Sequence, residues 1–300
     1  MTLNLSLRTG RALILLSLLS ASSPSAVQAS WSPPPVQATW SYNIGGSEAL
    51  NAGVTPTGRV ISLDLYAVTT ATMTRLRRAG KYLICYYSAG TAETFRTDAA
   101  SQRLLTPDLL LGEVQRGPDD TWPGERWLDL RGFTTTASGR AAIIRSVMEA
   151  RLDLARQKGC HAVEPDNVDA WANVVNQRAR PGTPAHAVSA ADQLAYARWT
   201  AAASHARGLA VLLKNNLGQV AALHALYDGA INEDCFDFAG DCEALAPFRD
   251  TQKAVYVVAY HPADFATAAR QRLAATLYLN VILTDPDATR TEPYRRFGRW

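Results

Sequence analysis

Apolar positions along the chain fall into short runs separated by segments of helical period. Runs at 36–42, 60–65, 82–87, 161–164, 209–213, 227–232, 253–260 and 276–283 are rich in Val, Ile, Leu and aromatic residues, which predicts eight strands. Between them, a helix is predicted over 70–78, stopping at Gly80. A longer one carries Ile143, Ile144, Val147, Met148, Leu152 and Ala155 at helical spacing and ends at Gly159, where a C′ glycine belongs. The capping-box pattern Ser189-Ala190-Ala191-Asp192 opens a third helix that Gly208 closes, and a fourth is predicted over 216–226. The stretch 91–127, punctuated by Pro107, Gly112, Gly117, Pro118, Pro123 and Gly124, reads as a long irregular segment with a short extended piece at 127–131.

Eight strands alternating with helices, with no second composition zone, predict one α/β domain with a parallel sheet, a single (β/α)8 TIM-like barrel. The competing doubly wound open sheet lacks its usual Gly-rich nucleotide turn: Gly45-Gly46 has no further spaced glycine, and no Gly-x-x-x-x-Gly-Lys occurs.

The first residues bear on compartment. Arg8 and Arg11 precede an uncharged apolar run at 12–19, and small and polar residues follow up to Val27-Gln28-Ala29. This is the pattern of a secretory signal peptide over 1–29, cleaved before Ser30 or Trp31. The run is far shorter than the ~20 residues of a spanning helix, and no Cys stands at the cleavage site, which argues against a lipoprotein. The expected product is secreted or periplasmic, with no membrane span after cleavage, an irregular leader over 30–39 and the barrel over 40–300. Removing Arg8 and Arg11 takes the formal charge from +3 to +1, so there is no electrostatic case for a nucleic-acid partner.

Four cysteines remain. Cys235 and Cys242 flank a short acidic loop, and a local disulfide is expected there in an oxidising compartment. Cys85 and Cys160 each sit in an apolar strand pattern and read as buried free thiols. The five histidines are scattered without ligand spacing, so no metal site is expected, and no cofactor signature is found.

In α/β barrels the chemistry sits at the C-terminal ends of the strands, and here those ends are polar. They read Trp40-Ser41-Tyr42-Asn43, Asp64-Leu65-Tyr66, Tyr86-Tyr87-Ser88, Glu164-Pro165-Asp166-Asn167-Val168-Asp169, Lys214-Asn215-Asn216 and Asn232-Glu233-Asp234. Carboxylates gathered around one mouth push their pKa values apart, so one can stay protonated while another is ionised. Glycosidic cleavage needs that pair: an acid to protonate the leaving oxygen, and a carboxylate to attack the anomeric carbon or activate water. Asp166 and Glu233 each directly follow an apolar strand and are the preferred pair. Asp64 is equally a cap for the helix after its strand, and Asp169 an ordinary loop residue. Glu164, one pleat below the end, is placed to point inward and pair with Lys214, which is either that structural partner or a contact to substrate and nucleophile. Aromatic side chains near the ends, Trp40, Tyr42, Tyr66, Tyr86, Tyr87, Trp127 and Trp171, offer surfaces on which sugar CH faces stack, although half would be plain core.

Read in order, several strings carry a family likeness: Trp40-Ser41-Tyr42, Ser62-Leu63-Asp64-Leu65-Tyr66, Gly80 to Gly90, Glu125-Arg126-Trp127-Leu128-Asp129-Leu130-Arg131, Glu164-Pro165-Asp166-Asn167-Val168-Asp169, Leu213-Lys214-Asn215 and Asn232-Glu233-Asp234-Cys235-Phe236. Together, from Trp40 to Leu283, they resemble glycoside hydrolase family 114, the endo-α-1,4-polygalactosaminidases. The resemblance implies a TIM-like barrel acting on an α-1,4-linked galactosamine exopolysaccharide, with the catalytic pair on Asp166 and Glu233. A nucleophilic Asp166 and an acid/base Glu233 in a retaining mechanism is the preferred assignment, with reversed roles and inversion open. Substrate contacts are expected from Trp40, Tyr42, Asp64, Tyr86, Ser88, Trp127, Asp129, Glu164, Asn167, Asp169, Lys214, Asn215 and Tyr260. Two departures stand out. Asn43-Ile44 replaces a Gln-Leu-like pair, and Ala259-Tyr260 lacks the Glu that often precedes this Tyr, which bears on the exact sugar accepted. The alternatives are a glycosidase of another glycan specificity and an exported carbohydrate-binding barrel without catalysis.

Overall fold

The computed structural model describes Met1 and residues 30–117, 120–133, 139–173, 188–265 and 267–297. The expected signal segment, Met1 apart, therefore lies outside the described residues. Residues 30–39 carry no helix or strand.

The strands follow in chain order as β1 (Trp40–Asn43), β2 (Val60–Asp64), β3 (Tyr82–Ser88), β4 (Thr91–Glu93), β5 (Leu110–Gly117), β6 (Asp120–Leu128), β7 (Ala162–Asp166), β8 (Ala210–Lys214), β9 (Gly229–Glu233), β10 (Ala254–Ala259), β11 (Leu279–Leu283) and β12 (Arg295–Phe297). A nine-stranded sheet runs β1-β2-β3-β7-β8-β9-β10-β11-β12. Its first eight strands are parallel, and β12 adds antiparallel to β11. The eight runs predicted from apolar pattern are these eight parallel strands.

The sheet is curled, and its edges meet at Asn280. Trp40 donates its indole N–H to the Asn280 carbonyl at 2.8 Å, and the Asn280 side chain accepts from Ala38 N and donates to the carbonyls of Val36 and Val255. A β1–β11 ladder, which would complete an eightfold barrel, is not seen among the described residues.

The segment expected to be irregular is a small antiparallel sheet in the order β4-β6-β5. Its β5–β6 register is interrupted by bulges, which is why no regular alternation marks it in the sequence. The helix predicted over 216–226 is also shorter than expected: Asn216 is left-handed, a 3-10 turn follows, and the α-helix covers only Val220–Leu223. The longest helix among the described residues, Arg140–Lys158, buries the Ile144, Val147, Met148, Leu152 and Ala155 stripe and stops on Gly159 at φ 84°. The helix Ala190–His205 is capped by Ser189 Oγ accepting from Asp192 N.

Strand alternation separates two cores. One set of side chains packs inside the curl: Trp40, Tyr42, Val60, Ile84, Ala162, Leu212, Ile231, Tyr256, Val258 and Ile282. The other set, including Leu63, Cys85, Val163, Val211, Leu213 and Val257, packs against the helices. Period two then fixes what lies above the inner core. Continuing from Ala162 reaches Glu164 and Asp166, from Leu212 reaches Lys214, and from Ile231 reaches Glu233. The inner face is thus apolar below and ionic at its C-terminal end.

Both disulfides are formed among the four cysteines: Cys235–Cys242 as expected, and Cys85–Cys160 in place of two free thiols. The second corrects the sequence expectation. Cys85 in β3 and Cys160 just before β7 are far apart in the chain, but β3 and β7 are sheet neighbours, which leaves their Cα atoms 5.9 Å apart. Two disulfides suit an oxidising compartment. Chain-entropy arguments make the 75-residue link worth ~4 kcal/mol and the 7-residue link ~2 kcal/mol. Cys85→Ala with Cys160→Ala is therefore expected to lower the urea midpoint more than Cys235→Ala with Cys242→Ala. Equal losses in equilibrium unfolding would refute that ordering. No helix of the described residues is long and apolar enough to cross a membrane.

Candidate active site

A cavity of ≈ 800 Å³ opens at the C-terminal ends of the parallel strands. Its floor is built around Lys214, a buried ammonium at the end of β8. Lys214 Nζ lies 3.2 Å from Glu164 Oε1, 3.2 Å from Asp166 Oδ1 and 3.1 Å from Glu233 Oε2. It also donates to Tyr42 Oη at 3.0 Å. One cation thus ties together carboxylates from β7 and β9, the strands on either side of its own.

Burial alone would lower the Lys214 pKa, but Asp166, Glu233 and Glu164 outweigh it and hold the ammonium well above its usual value. Glu164 is fully buried beneath the cavity, and burial pushes it up to about 7 against the pull of Lys214 and of the hydrogen bond from Ser62. Tyr42 donates to its other oxygen at 3.0 Å. Glu233 goes the opposite way. Burial would raise it, yet Lys214, with hydrogen bonds from Tyr260 Oη at 2.5 Å and Asn215 Nδ2 at 3.5 Å, holds it below the ordinary glutamate value. Asn215 is left-handed at φ 48°, and its Oδ1 accepts from Glu233 N, which locks the end of β9 against that of β8.

Asp166 ends β7 opposite Ser88 of β3, and its carbonyl accepts from Ala89 N and Gly90 N. Gly90 is needed there: a Cβ would sit 1.6 Å from the Asn167 carbonyl oxygen. Asp169 also lines the cavity and is raised to about 6 by burial and by Asp166.

The expected site residues divide into three groups. Asp64, Tyr86, Trp127, Asp166, Asn167, Asp169, Lys214, Asn215, Glu233 and Tyr260 line the cavity. Tyr42, Ser88 and Glu164 lie buried, bonded to Lys214 or Asn167. Trp40 and Asp129 are not brought to it. Trp40 is fully buried at the sheet seam, and Asp129 is held by Arg131 at 2.5 Å and Arg140 at 3.0 Å. Asp64 combines its two readings, since Oδ1 caps the turn at Tyr66 N and Ala67 N while Oδ2 binds Arg96 at 2.6 Å on the cavity wall. The Glu164–Lys214 pair is present as expected.

The small β4-β6-β5 sheet supplies a wall that strand-end reasoning missed: Glu93, Trp122 and Glu125, followed along the rim by Phe95 and Arg96. The Glu125 carboxylate of the Glu125-Arg126-Trp127 string was visible, but not the hairpin that turns it inward. At the rim, Asp234, Asp237 and His261 bring three potential metal ligands within 4.8 Å of one another, an arrangement common without an ion.

Four carboxyls raised on folding, Glu164 and Glu125 at about 7, Asp169 at about 6 and Glu93 above its usual value through burial, make the folded state bind more protons than the unfolded one between about pH 5 and 7. Stability is then expected to rise as pH falls through that window. His161, lowered by burial, opposes this below its usual value. Melting temperatures across the window test it: Glu164→Gln should flatten the slope, and an unchanged slope contradicts the assignment.

A curled α/β sheet with a buried lysine holding paired carboxylates at the strand ends is the arrangement of a glycoside hydrolase. The family model of glycoside-hydrolase family GH114 matches residues 20–294, and the chain belongs to that family. Among solved structures it is similar to Ega3 of Aspergillus fumigatus in complex with galactosamine, at 26% identity and a TM-score of 0.68, covering 86% of this chain and 95% of that one. The glycoside hydrolase domain of PelA from Pseudomonas aeruginosa shares the fold at 14% identity and a TM-score of 0.51, covering 87% and 99%. A comparison with curated proteins finds no significant match.

Proposed function

We propose that the protein is an exported, endo-acting, retaining hydrolase of α-1,4-linked galactosamine polymers, folded as a complete TIM-like barrel, with Asp166 as nucleophile and Glu233 as acid/base. The observation that carries this is Lys214 in contact with both carboxylates. A shared contact of this length keeps the two oxygens within about 6 Å, which suits the ~5 Å spacing of retaining pairs better than the wider spacing of inverting ones. Asp166 attacks C1 as the glycosidic C1–O bond breaks, and the leaving oxygen takes the Glu233 proton. Glu233 then removes a proton from water, which attacks C1 and frees Asp166. Lys214 holds both groups in place, and Tyr260 orients Glu233.

The substrate class rests on charge and on likeness. Eight carboxylates line the cavity against two cations, Arg96 and Lys214, both already paired. Such a mouth favours a polymer of ammonium sugars. Ega3, the 26% identical relative, is a galactosamine complex. Release of reducing ends from partly deacetylated α-1,4-galactosaminan tests the reading. Absence of turnover with retained binding supports a carbohydrate-binding barrel, and turnover of an unrelated neutral glycan supports another specificity. Mass analysis of the secreted chain, with a mature start at Ser30 or Trp31, tests export.

A further inference from the structure

Beside the main cavity lies a second hollow of ≈ 370 Å³, and the two share Tyr260. The order of strands fixes where it stands. β7, β8, β9, β10, β11 and β12 are successive neighbours in the sheet. They carry, in turn, Asp166, Lys214, Glu233, Tyr260 just past the end of β10, Leu283 and Arg295. Glu233 therefore stands between Asp166 and the hollow. Tyr260, whose Oη donates to Glu233 Oε1 at 2.5 Å, is the partition.

The hollow differs chemically from the cavity it adjoins. Pro262, Leu283 and the rings of Tyr260 and Tyr294 make its walls apolar. Among the described residues no carboxylate lines it, and Arg295 is its charged member. The antiparallel pairing of β12 with β11 sets Arg295 opposite Leu283, and Tyr294 N donates to the Leu283 carbonyl at 2.8 Å. Arg290 is not part of the lining, but its guanidinium carbon lies 4.0 Å from the Tyr294 ring centroid and brings a second positive charge close. Tyr294 is thus held by its backbone and by a cation, yet stays 57% exposed. The catalytic scheme uses none of Pro262, Leu283, Tyr294 or Arg295.

We infer that this hollow is a leaving-group-side subsite for an N-acetylated hexosamine unit of the glycan. The inference rests on the glycosidase reading, with Glu233 as the acid. The leaving oxygen faces Glu233, so the sugar that carries it lies on the far side from Asp166, and the glycan continues past Tyr260. An acetamido group matches what it meets there. Its methyl packs against Leu283 and Pro262, and its carbonyl accepts from the Arg295 guanidinium, while the sugar's CH face stacks on Tyr294. A free ammonium offers no acceptor and brings its own positive charge up to Arg295 and Arg290. Two adjoining hollows of opposite charge then read a partly acetylated polymer, and they set which bonds are cut.

Two measurements test this, one of them without turnover. Binding of methyl N-acetyl-α-galactosaminide is read by saturation transfer from the protein to its acetyl methyl. Tyr294→Ala and Arg295→Glu should each weaken that binding on the order of tenfold while keeping the wild-type melting temperature. No transfer to the methyl in wild type, or full binding in both folded variants, overturns the inference. The second measurement is mass-spectrometric sequencing of the fragments that wild type releases from partly deacetylated α-1,4-galactosaminan. Acetylated units should be enriched at or next to the new non-reducing ends, and Arg295→Glu should shift those positions towards free-amine units. Absence of enrichment, or enrichment at the new reducing ends, overturns the inference. A wild type that cleaves nothing sinks the glycosidase reading, and the saturation-transfer result then judges the hollow by itself.

Discussion

Asp166→Asn is expected to reduce turnover of α-1,4-galactosaminan by roughly 10⁴-fold or more, with an unchanged melting temperature. The amide is nearly isosteric and still faces Lys214, but it cannot form the ester to C1. Glu233→Gln should be comparably damaging on the polymer, whose leaving alkoxide needs a proton. The two variants separate on an aryl glycoside whose phenolate leaves unaided. Glu233→Gln should recover cleavage there in its first step, whereas Asp166→Asn should not. Azide added to Glu233→Ala should yield the α-glycosyl azide, since a second displacement at C1 restores the starting configuration. Recovery by the Asp166 variant instead would reverse the roles. A β-configured first product from wild type would replace retention by inversion.

The second large effect is at Lys214. Lys214→Met leaves Glu164, Asp166 and Glu233 without their shared cation. Removing one partner of a buried ion cluster costs about 3–5 kcal/mol. The sign with pH is specific. Lys214 pulls down a Glu164 that burial already lifts to about 7, so without the ammonium Glu164 moves higher still. The loss should be greatest above that value and shrink as pH falls and Glu164 takes a proton. Thermal unfolding near pH 8 and near pH 5 measures it, and a pH-independent loss contradicts the cluster.

Kinetics give a second reading of the same substitution. Lys214 also holds Glu233 low, so an acid/base Glu233 is protonated only on the acid side, and wild-type kcat/KM should fall as pH rises toward neutral. In Lys214→Met the residual activity should fall at higher pH instead. An alkaline limb that stays put would remove Lys214 from control of Glu233.

Some of this was legible without coordinates. Glu164 and Asp166 are two residues apart on an apolar run, so period two alone puts both on one face, and the Glu164–Lys214 pair follows from parallel neighbours in a barrel. That one ammonium also reaches Asp166 and Glu233 depends on how the ends of β7, β8 and β9 converge, which spacing does not encode. Trp40 looked like a sugar platform because it stands near a strand end. Its burial comes from the meeting of β1 and β11, a contact between residues 240 positions apart. Asp129 was expected as a substrate contact from the family likeness, and the return of Arg140 beside it makes it an ion-pair partner. Glu125 was hidden for the opposite reason: bulges erase the alternation by which a hairpin is recognised.

The sequence by itself determined the alternation of strands and helices, the eight parallel strands and the strand-end position of Asp166 and Glu233. Those follow from local periodicity, and local periodicity is carried by neighbouring residues. Only the tertiary structure decided the Cys85–Cys160 link, the lysine shared by three carboxylates, the seam at Asn280 and the wall that turns Glu125 inward. Each of these joins residues far apart in the chain, brought together by the curl of the sheet and by burial, and neither is written in the spacing of any one segment.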